Sequence, residues 1–345
     1  MNYIITGGTG FIGTHLTNLL RELNPDANIY NLDIVKPGTP NPVVKNYKPA
    51  VRDGETLQSE YVECDIRRPI ENMPFTPTPD DIIFNFAAVH RTPGHEDHEY
   101  FETNIRGAEN VVAFAERHGI KQIVFTSSIA PYGPSEELKS EDTLPTPNSA
   151  YGISKLVAEK IHEGWQKGDA ANRKLTIVRP GVVFGKGENG NFTRLYWAIK
   201  GHKFAYPGRK DTIKACIYVK ELVRFIMYCV EHQAAGSEIY NCTFHPAYTI
   251  EQIVDTMKQV TDLTQAVPYI PNSLIKPVAA VIGACGAPMG ICPARVRKLQ
   301  ISTNISGEKM ARSGYKLHWT LPEAIADWFA DSTPQRPPLS NRGEL

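Results

Sequence analysis

The chain has 345 residues, 41% of them hydrophobic, and 37 acidic side chains balance 37 basic ones to a formal net charge of zero. That length suffices for one large domain or two modest ones with a real core. The charge balance excludes recruitment to nucleic acid or to an anionic membrane by bulk charge. The six cysteines (Cys64, Cys216, Cys229, Cys242, Cys285, Cys292) are scattered and form no CxxC pair. They offer neither a disulfide framework nor a metal spacing, and they read as reduced core thiols. No secretory signal is visible, because a strand begins at once. The expectation is a cytoplasmic protein without a membrane span, a metal or a nucleic-acid partner.

In chain order, Tyr3–Thr6 reads as a strand and Phe11–Glu22 as a helix, with Phe11, Leu16, Leu19 and Leu20 on one face. Asn28–Asp33 is a second strand, residues 37–57 an irregular excursion rich in Pro, Asn and Lys, and Tyr61–Cys64 a third strand. Ile82–Ala88 is a fourth, apolar enough to be buried on both faces. Then come a helix over Tyr100–His118, a strand over Gln122–Ser127, a helix over Ala150–Gly164 and a strand over Leu175–Arg179. Strands alternating with helices predict an α/β fold, a Rossmann-like doubly wound parallel sheet.

After about residue 185 the rhythm changes. Helices over Phe192–Lys200, Glu221–Glu231, Ile250–Val260 and Leu321–Phe329 are irregularly spaced. The expected division is a nucleotide-binding domain over 1–185, a smaller helical substrate lobe over 186–330 from which the chain can cross back, and a loose tail over 331–345. Leu274–Cys292 is apolar, but Lys276, two prolines and three glycines interrupt it. A spanning helix needs about 20 apolar residues, so this stretch reads as a buried segment or an apolar cap.

Thr6–Gly13, TGGTGFIG, places Gly7, Gly10 and Gly13 at spacing three between a strand and a helix. Gly7 permits a tight turn, Gly10 lets the backbone approach a pyrophosphate, and Gly13 lets the helix pack on the strand. The helix start at Phe11, Ile12 and Gly13 presents free N–H groups and its dipole to phosphates. Asp33 ends the second strand 20 residues past Gly13. A carboxylate there accepts hydrogen bonds from a ribose diol and repels a 2′-phosphate, which favours NAD over NADP, with Lys36 nearby as a countervailing charge. Asp65 and Ile66 follow the third strand, where adenine would lie. Phe86, Ala87 and Ala88 end the fourth, where small residues let backbone pass close to the cofactor.

Tyr151-Gly-Ile-Ser-Lys155 puts a phenol and an ammonium four apart on one helix face. An ammonium beside a phenol favours the phenolate, so the pair predicts a tyrosine lowered from about 10 towards neutrality and usable as a general base. Thr126-Ser127-Ser128 ends the preceding strand with hydroxyls able to bond a reacting oxygen.

TGGTGFIG, the aspartate after the second strand, FNFAA, TSSIAPYG and YGISK together resemble the extended short-chain dehydrogenase/reductase family, of the NAD-dependent nucleotide-sugar epimerase/dehydratase type, over roughly residues 1–329. The resemblance implies a Rossmann domain for NAD and a small substrate domain. It implies that Tyr151 is the base, that Lys155 holds the nicotinamide ribose and tunes Tyr151, and that Ser128, or its neighbour Ser127, is the third catalytic residue. It also places Asn104 behind the active site, and Pro180 and Val182 against the nicotinamide amide. Ile129-Ala130 stands where similar dehydratases carry an Asp-Glu pair and decarboxylases a glutamate. Neither residue can move a proton, so the resemblance implies an epimerase that oxidises a sugar transiently and returns the hydride to its other face.

The second half resembles the epimerase segment for nucleobase and diphosphate, with Asn191, Phe204 by the base, and Lys214 where the family has an arginine. Arg295 or Arg297 would supply a second cation. His90 and Arg91 follow a strand's carboxyl end, where substrate binds; the histidines and acids after them read as a solvated loop. Two rivals stay open: a dehydrogenase or reductase of a sterol-like substrate, since Arg179–Gly185 also resembles such enzymes, and a non-catalytic NAD(P)-binding regulator. The helices Tyr100–His118 and Ala150–Gly164 resemble those that pair in homodimers of the family.

Overall fold

The computed structural model describes residues 1–39, 57–90, 95–275, 299–331 and 334. Seven parallel strands form the main sheet: β1 (Asn2–Thr6), β2 (Asn28–Asp33), β3 (Glu60–Glu63), β4 (Ile82–Asn85), β5 (Gln122–Thr126), β7 (Lys174–Pro180) and β12 (Gly236–Cys242). Their order across the sheet is β12-β7-β5-β4-β1-β2-β3. The order reverses between β1 and β4, so a crevice opens there at the carboxyl ends, where doubly wound sheets bind ligands.

The period-two alternation of the strands divides the core. Ile5, Phe84, Val124 and Val178 pack under α1 (Phe11–Leu23) and α6 (Val219–His232), with Leu16, Leu20, Phe225 and Ile226. Their neighbours Ile4, Ile83, Ile123 and Ile177 face the other way, against Val111, Phe114, Ala158 and Trp165 of α3 (Arg106–His118) and α4 (Ala150–Gly168). Both faces are covered, as near-continuous apolar strands require.

The chain beyond 185 does not stay in one lobe: α6 lies on α1, and β12 pairs with β7 from Gly236↔Lys174 to Cys242↔Pro180. The rest builds a second core. Phe184, Phe192, Tyr196, Tyr218 and Phe244 meet Ile253 and Met257 of α7 (Ile250–Val260) and Ile325 and Trp328 of the helix Leu321–Asp331. Beside it runs a four-stranded sheet in the order β13-β10-β15-β6, with β6 (Ser135–Lys139), β10 (Ile213–Lys214), β13 (Tyr248–Thr249) and β15 (Thr303–Ile305).

Two expected elements differ. The strand expected over Ile82–Ala88 stops at Asn85, because its partner β1 ends at Thr6 where Gly7 turns away at φ +68°. The helix expected from Tyr100 starts at Asp97 under a Glu96–Glu99 capping box and passes through a π turn, Phe101–Ile105, before α3. Residues 40–56 of the irregular excursion and 276–292 of the apolar stretch lie outside the described residues, as does most of the tail. Among the described residues no helix is long and apolar enough to cross a membrane.

Candidate active site

The glycine turn sits at the switch point. Gly7 has φ +68°, and a Cβ there would come within 2.7 Å of the Ala87 backbone. The chain after β4, at Phe86-Ala87-Ala88, therefore lies hard against the turn. A Cβ on Gly13 would come within 2.6 Å of Gly8, which fixes how closely α1 approaches. Gly8, between the motif glycines, is demanded by the buried Asn31: a Cβ there would meet its Oδ1 at 2.3 Å. Asn31 is held by Thr17 and Ser59 at 3.1 and 2.7 Å. Gly10 caps α1, no side chain bonds that helix end, and no acid lies in its first turn. The start at Phe11, Ile12 and Gly13 is thus open to an anion.

Asp33 closes the crevice on the β2 side. Thr9 donates to its Oδ2 from Oγ1 at 2.8 Å and from N at 3.2 Å, and Val35 N donates to Oδ1 at 3.1 Å. Burial pushes the carboxyl up while these bonds pull it down. Thr9 takes up both lone pairs of Oδ2, and Oδ1 keeps one for a ribose hydroxyl. The glycine cradle, uncapped helix and diol acceptor fit a dinucleotide. Asp65 is gripped by Arg67 through Nε at 2.9 Å and Nη2 at 2.7 Å, which holds its carboxyl below the usual range. Ile66 is buried, and its carbonyl accepts from Asn110 at 2.7 Å.

Tyr151 opens α4, behind a Ser149 N-cap that accepts from Gly152 N. A hydrogen bond from Ser128 favours the phenolate, but burial pushes the phenol up to about 12. The expected drop towards neutrality is therefore reversed here, because desolvation outweighs the charges present. Lys155 explains why. It is 2% exposed and its Nζ lies 4.4 Å from the centre of the Phe125 ring, whose other neighbour is the stacked His162 ring. Burial lowers the Lys155 ammonium to about 7, opposed by Glu159. A positive charge brought beside the phenol is what would lower it.

Ser128 and Ser127 part company. Ser128 stays with Tyr151, and its Oγ accepts from Ala130 N at 3.1 Å. Ser127 turns inward and donates to the buried Glu159. Asn104, in the π turn, exchanges hydrogen bonds with Val89 at 2.9 and 3.1 Å and donates to Ser154 at 2.9 Å. It fixes the loop before His90 against α4. Pro180 ends β7, and Val182 begins β8 (Val182–Phe184), which pairs with Cys216 of β11 (Cys216–Tyr218).

Beside Tyr151 a cavity of about 560 Å³ is lined by His95, Asp97, Tyr100, Asn148 and Ser149, among others. His95 Nδ1 is 3.2 Å from Glu99. His90 is exposed, and Arg91 and Arg295, like Arg297, lie outside the described residues. Asn191 is exposed at the start of α5 (Asn191–Lys200), and Phe204 packs edge-on against Tyr206 at 5.4 Å. Lys214 Nζ donates to the Ile301 carbonyl at 2.7 Å, and burial lowers its ammonium to about 8. The sequence reading missed Thr9, Glu159 and His162. The last two could have been read from α4, where they continue the Tyr151–Lys155 face at spacing four and three.

The sequence matches the profile of the NAD dependent epimerase/dehydratase family over residues 3–243. It is 30% identical to the N-acetyl-alpha-D-glucosaminyl-diphospho-ditrans,octacis-undecaprenol 4-epimerase of Escherichia coli O157:H7 over 338 residues, 94% of this chain and 93% of that one. It is 26% identical to the UDP-glucose 4-epimerase of Vibrio cholerae over 69% of each chain. Its fold is similar to that of the UDP-N-acetylglucosamine 4-epimerase from Methanobrevibacter ruminantium M1, solved with UDP-N-acetylmuramic acid. The TM-score is 0.72 at 19% identity, over 96% of this chain and 98% of the other. The same holds for the UDP-glucuronic acid 4-epimerase from Bacillus cereus with NAD, at TM-score 0.70, 17% identity and the same coverage.

Proposed function

The chain belongs to the NAD dependent epimerase/dehydratase family, and from that premise we propose that it is a 4-epimerase of a sugar joined through a diphosphate to its carrier. Its cofactor is NAD, which when bound supplies a two-electron acceptor and donor at the sugar carbon. The observation that carries the reading is the pairing of Ser128 with Tyr151, one helical turn from Lys155 and next to a turn whose Ile129-Ala130 pair offers no second acid or base. In that turn Ile129 and Ala130 are apolar. One proton-transfer group serves a reaction that ends with the same hydroxyl it began with.

In this reading Tyr151 accepts the proton of the sugar hydroxyl and gives it back after the ring has presented its other face. Ser128 bonds the same oxygen. Lys155 leaves the Phe125 ring for the ribose side of Tyr151, where its charge lowers the phenol. The glycine turn and α1 hold the pyrophosphate, and Asp33 the adenosine ribose. The cavity beside Tyr151 leaves room for a pyranose to turn. Two copies pair through α3 and α4.

A nucleotide is the carrier that the second-lobe motifs suggest. A second reading has a polyprenol in its place. It is favoured by the Escherichia coli relative, which matches nearly the whole chain and acts on a lipid-linked sugar. The test presents the holoenzyme with UDP-linked and polyprenyl-diphosphate-linked N-acetylglucosamine and follows proton NMR. Conversion of either supports the 4-epimerase and identifies its carrier. No conversion of any nucleotide- or lipid-linked hexose contradicts it.

A further inference from the structure

On α4, Tyr151, Lys155, Glu159 and His162 follow at intervals of four, four and three, a single face of the helix. Glu159 is fully buried, where a carboxylate is strongly disfavoured unless its charge is met. It is met twice. From β7, Arg179 donates Nε to Oε1 at 2.8 Å and Nη2 to Oε2 at 2.6 Å, a fork on a fork. From the end of β5, the Ser127 hydroxyl donates to Oε1. Arg179 gives another N–H to the Tyr132 hydroxyl at 2.6 Å, which donates to Asn241 Oδ1 at 3.0 Å. The cluster joins the carboxyl ends of β5, β7 and β12, three neighbours in the sheet.

An ion pair that only held strands together would have no reason to touch the reacting groups. This one reaches them by two routes. Ser127 is the peptide neighbour of Ser128, whose hydroxyl bonds Tyr151. Glu159 lies one helical turn from Lys155, and its charge favours the ammonium against burial. The titratable groups around Lys155 are Tyr151, Glu159 and His162 on its own helix. From β5 it meets the Phe125 ring, and Arg179 on β7 stands behind Glu159. Burial lowers His162 to about 4, so that ring is neutral.

We propose that Glu159 is a positioning residue for the reaction, anchoring the Ser127–Ser128 turn and keeping Lys155 charged for its place beside the catalytic tyrosine. This rests on Tyr151 and Lys155 being the catalytic pair. Removing Glu159 alone would leave the buried Arg179 charge unpaired and endanger folding. The paired variant E159Q/R179M removes both charges, and S127A keeps the ion pair while cutting the link to the turn.

The holoprotein is prepared with [13Cε]lysine, the Lys155 signal is assigned by its loss in K155M, and its titration is followed by NMR. In E159Q/R179M the Lys155 midpoint is expected at least about half a pH unit below the wild type. Its kcat is expected to fall about tenfold with KM nearly unchanged, and the high-pH limb to move down with Lys155. S127A lowers kcat several-fold without moving the midpoint. An unchanged Lys155 midpoint in the folded paired variant overturns the charge role. Wild-type kcat in S127A overturns the anchoring role, and S127A decides if the paired variant does not fold. A shifted midpoint in a protein that converts no sugar diphosphate refutes the proposed substrate and leaves this inference standing.

Discussion

In the proposed reading Tyr151, Lys155 and Asp33 carry most of the chemistry, and holding them in place can cost stability. Lys155 is the clearest case. Its ordinary value of 10.5 falls to about 7 on burial. Between those values the unfolded chain holds a proton that the folded chain has released, so stability rises with pH across that window. K155M removes the cost. The cofactor-free variant is expected to melt a few degrees higher than the wild type at pH 6, with the gap closing towards pH 10.5, while turnover is lost. Differential scanning calorimetry across that range checks both signs. Tyr151→Phe deletes the proton-transfer group and keeps the ring, so kcat is expected to fall at least about 100-fold with the melting temperature retained. Asp33→Asn keeps the bond to Val35 but weakens acceptance from a ribose diol. NAD affinity is expected to fall about tenfold by calorimetry, with NADP losing less. Of these residues, Tyr151, Lys155 and Asp33 were legible in the sequence by spacing. The raised phenol was not, because it depends on where Lys155 points, and spacing fixes a helix face but not a rotamer.

The turn between β1 and α1 shows how an element can be read from sequence and still hide its reasons. Gly7, Gly10 and Gly13 read as a phosphate turn by position. The need for Gly8 was invisible, since it comes from Asn31 on another strand. Gly7→Ala forces a side chain to φ +68° and into the Ala87 backbone. It is expected to cost at least about 1–2 kcal/mol of stability in urea unfolding and to abolish NAD binding, because either relief moves the chain that meets the cofactor. The early end of β4 and the π turn at Phe101–Ile105 were illegible for a similar reason. An apolar run shows where a strand can be, and its partner decides where the ladder stops. Asn104 occupies the π turn, where its amide can reach both Val89 and Ser154.

At the scale of the molecule, the doubly wound sheet followed from the alternation of elements, and the helical lobe from its loss after residue 185. The return of α6 and β12 to the sheet is carried by hydrophobic faces that the lobe's own helices share, so no boundary in composition marks it. The second-lobe residues were the least legible, because they are spread over separate elements and no period links them. On α4, Ile153 and Val157 are 41% and 37% exposed, one turn apart on the face away from the sheet. If two copies pair there, Ile153→Asp is expected to shift the holoprotein from dimer to monomer in light scattering without lowering NAD content; an unchanged mass contradicts that pairing.

The most direct test of the central reading runs the reaction in D2O with NAD-loaded enzyme and UDP- or polyprenyl-diphosphate-linked N-acetylglucosamine, read by proton NMR and absorbance at 340 nm. The account predicts the C4 epimer with its carbon-bound proton retained and no net reduction of the cofactor. Deuterium at the inverted carbon, or accumulating reduced cofactor with a keto product, would contradict it.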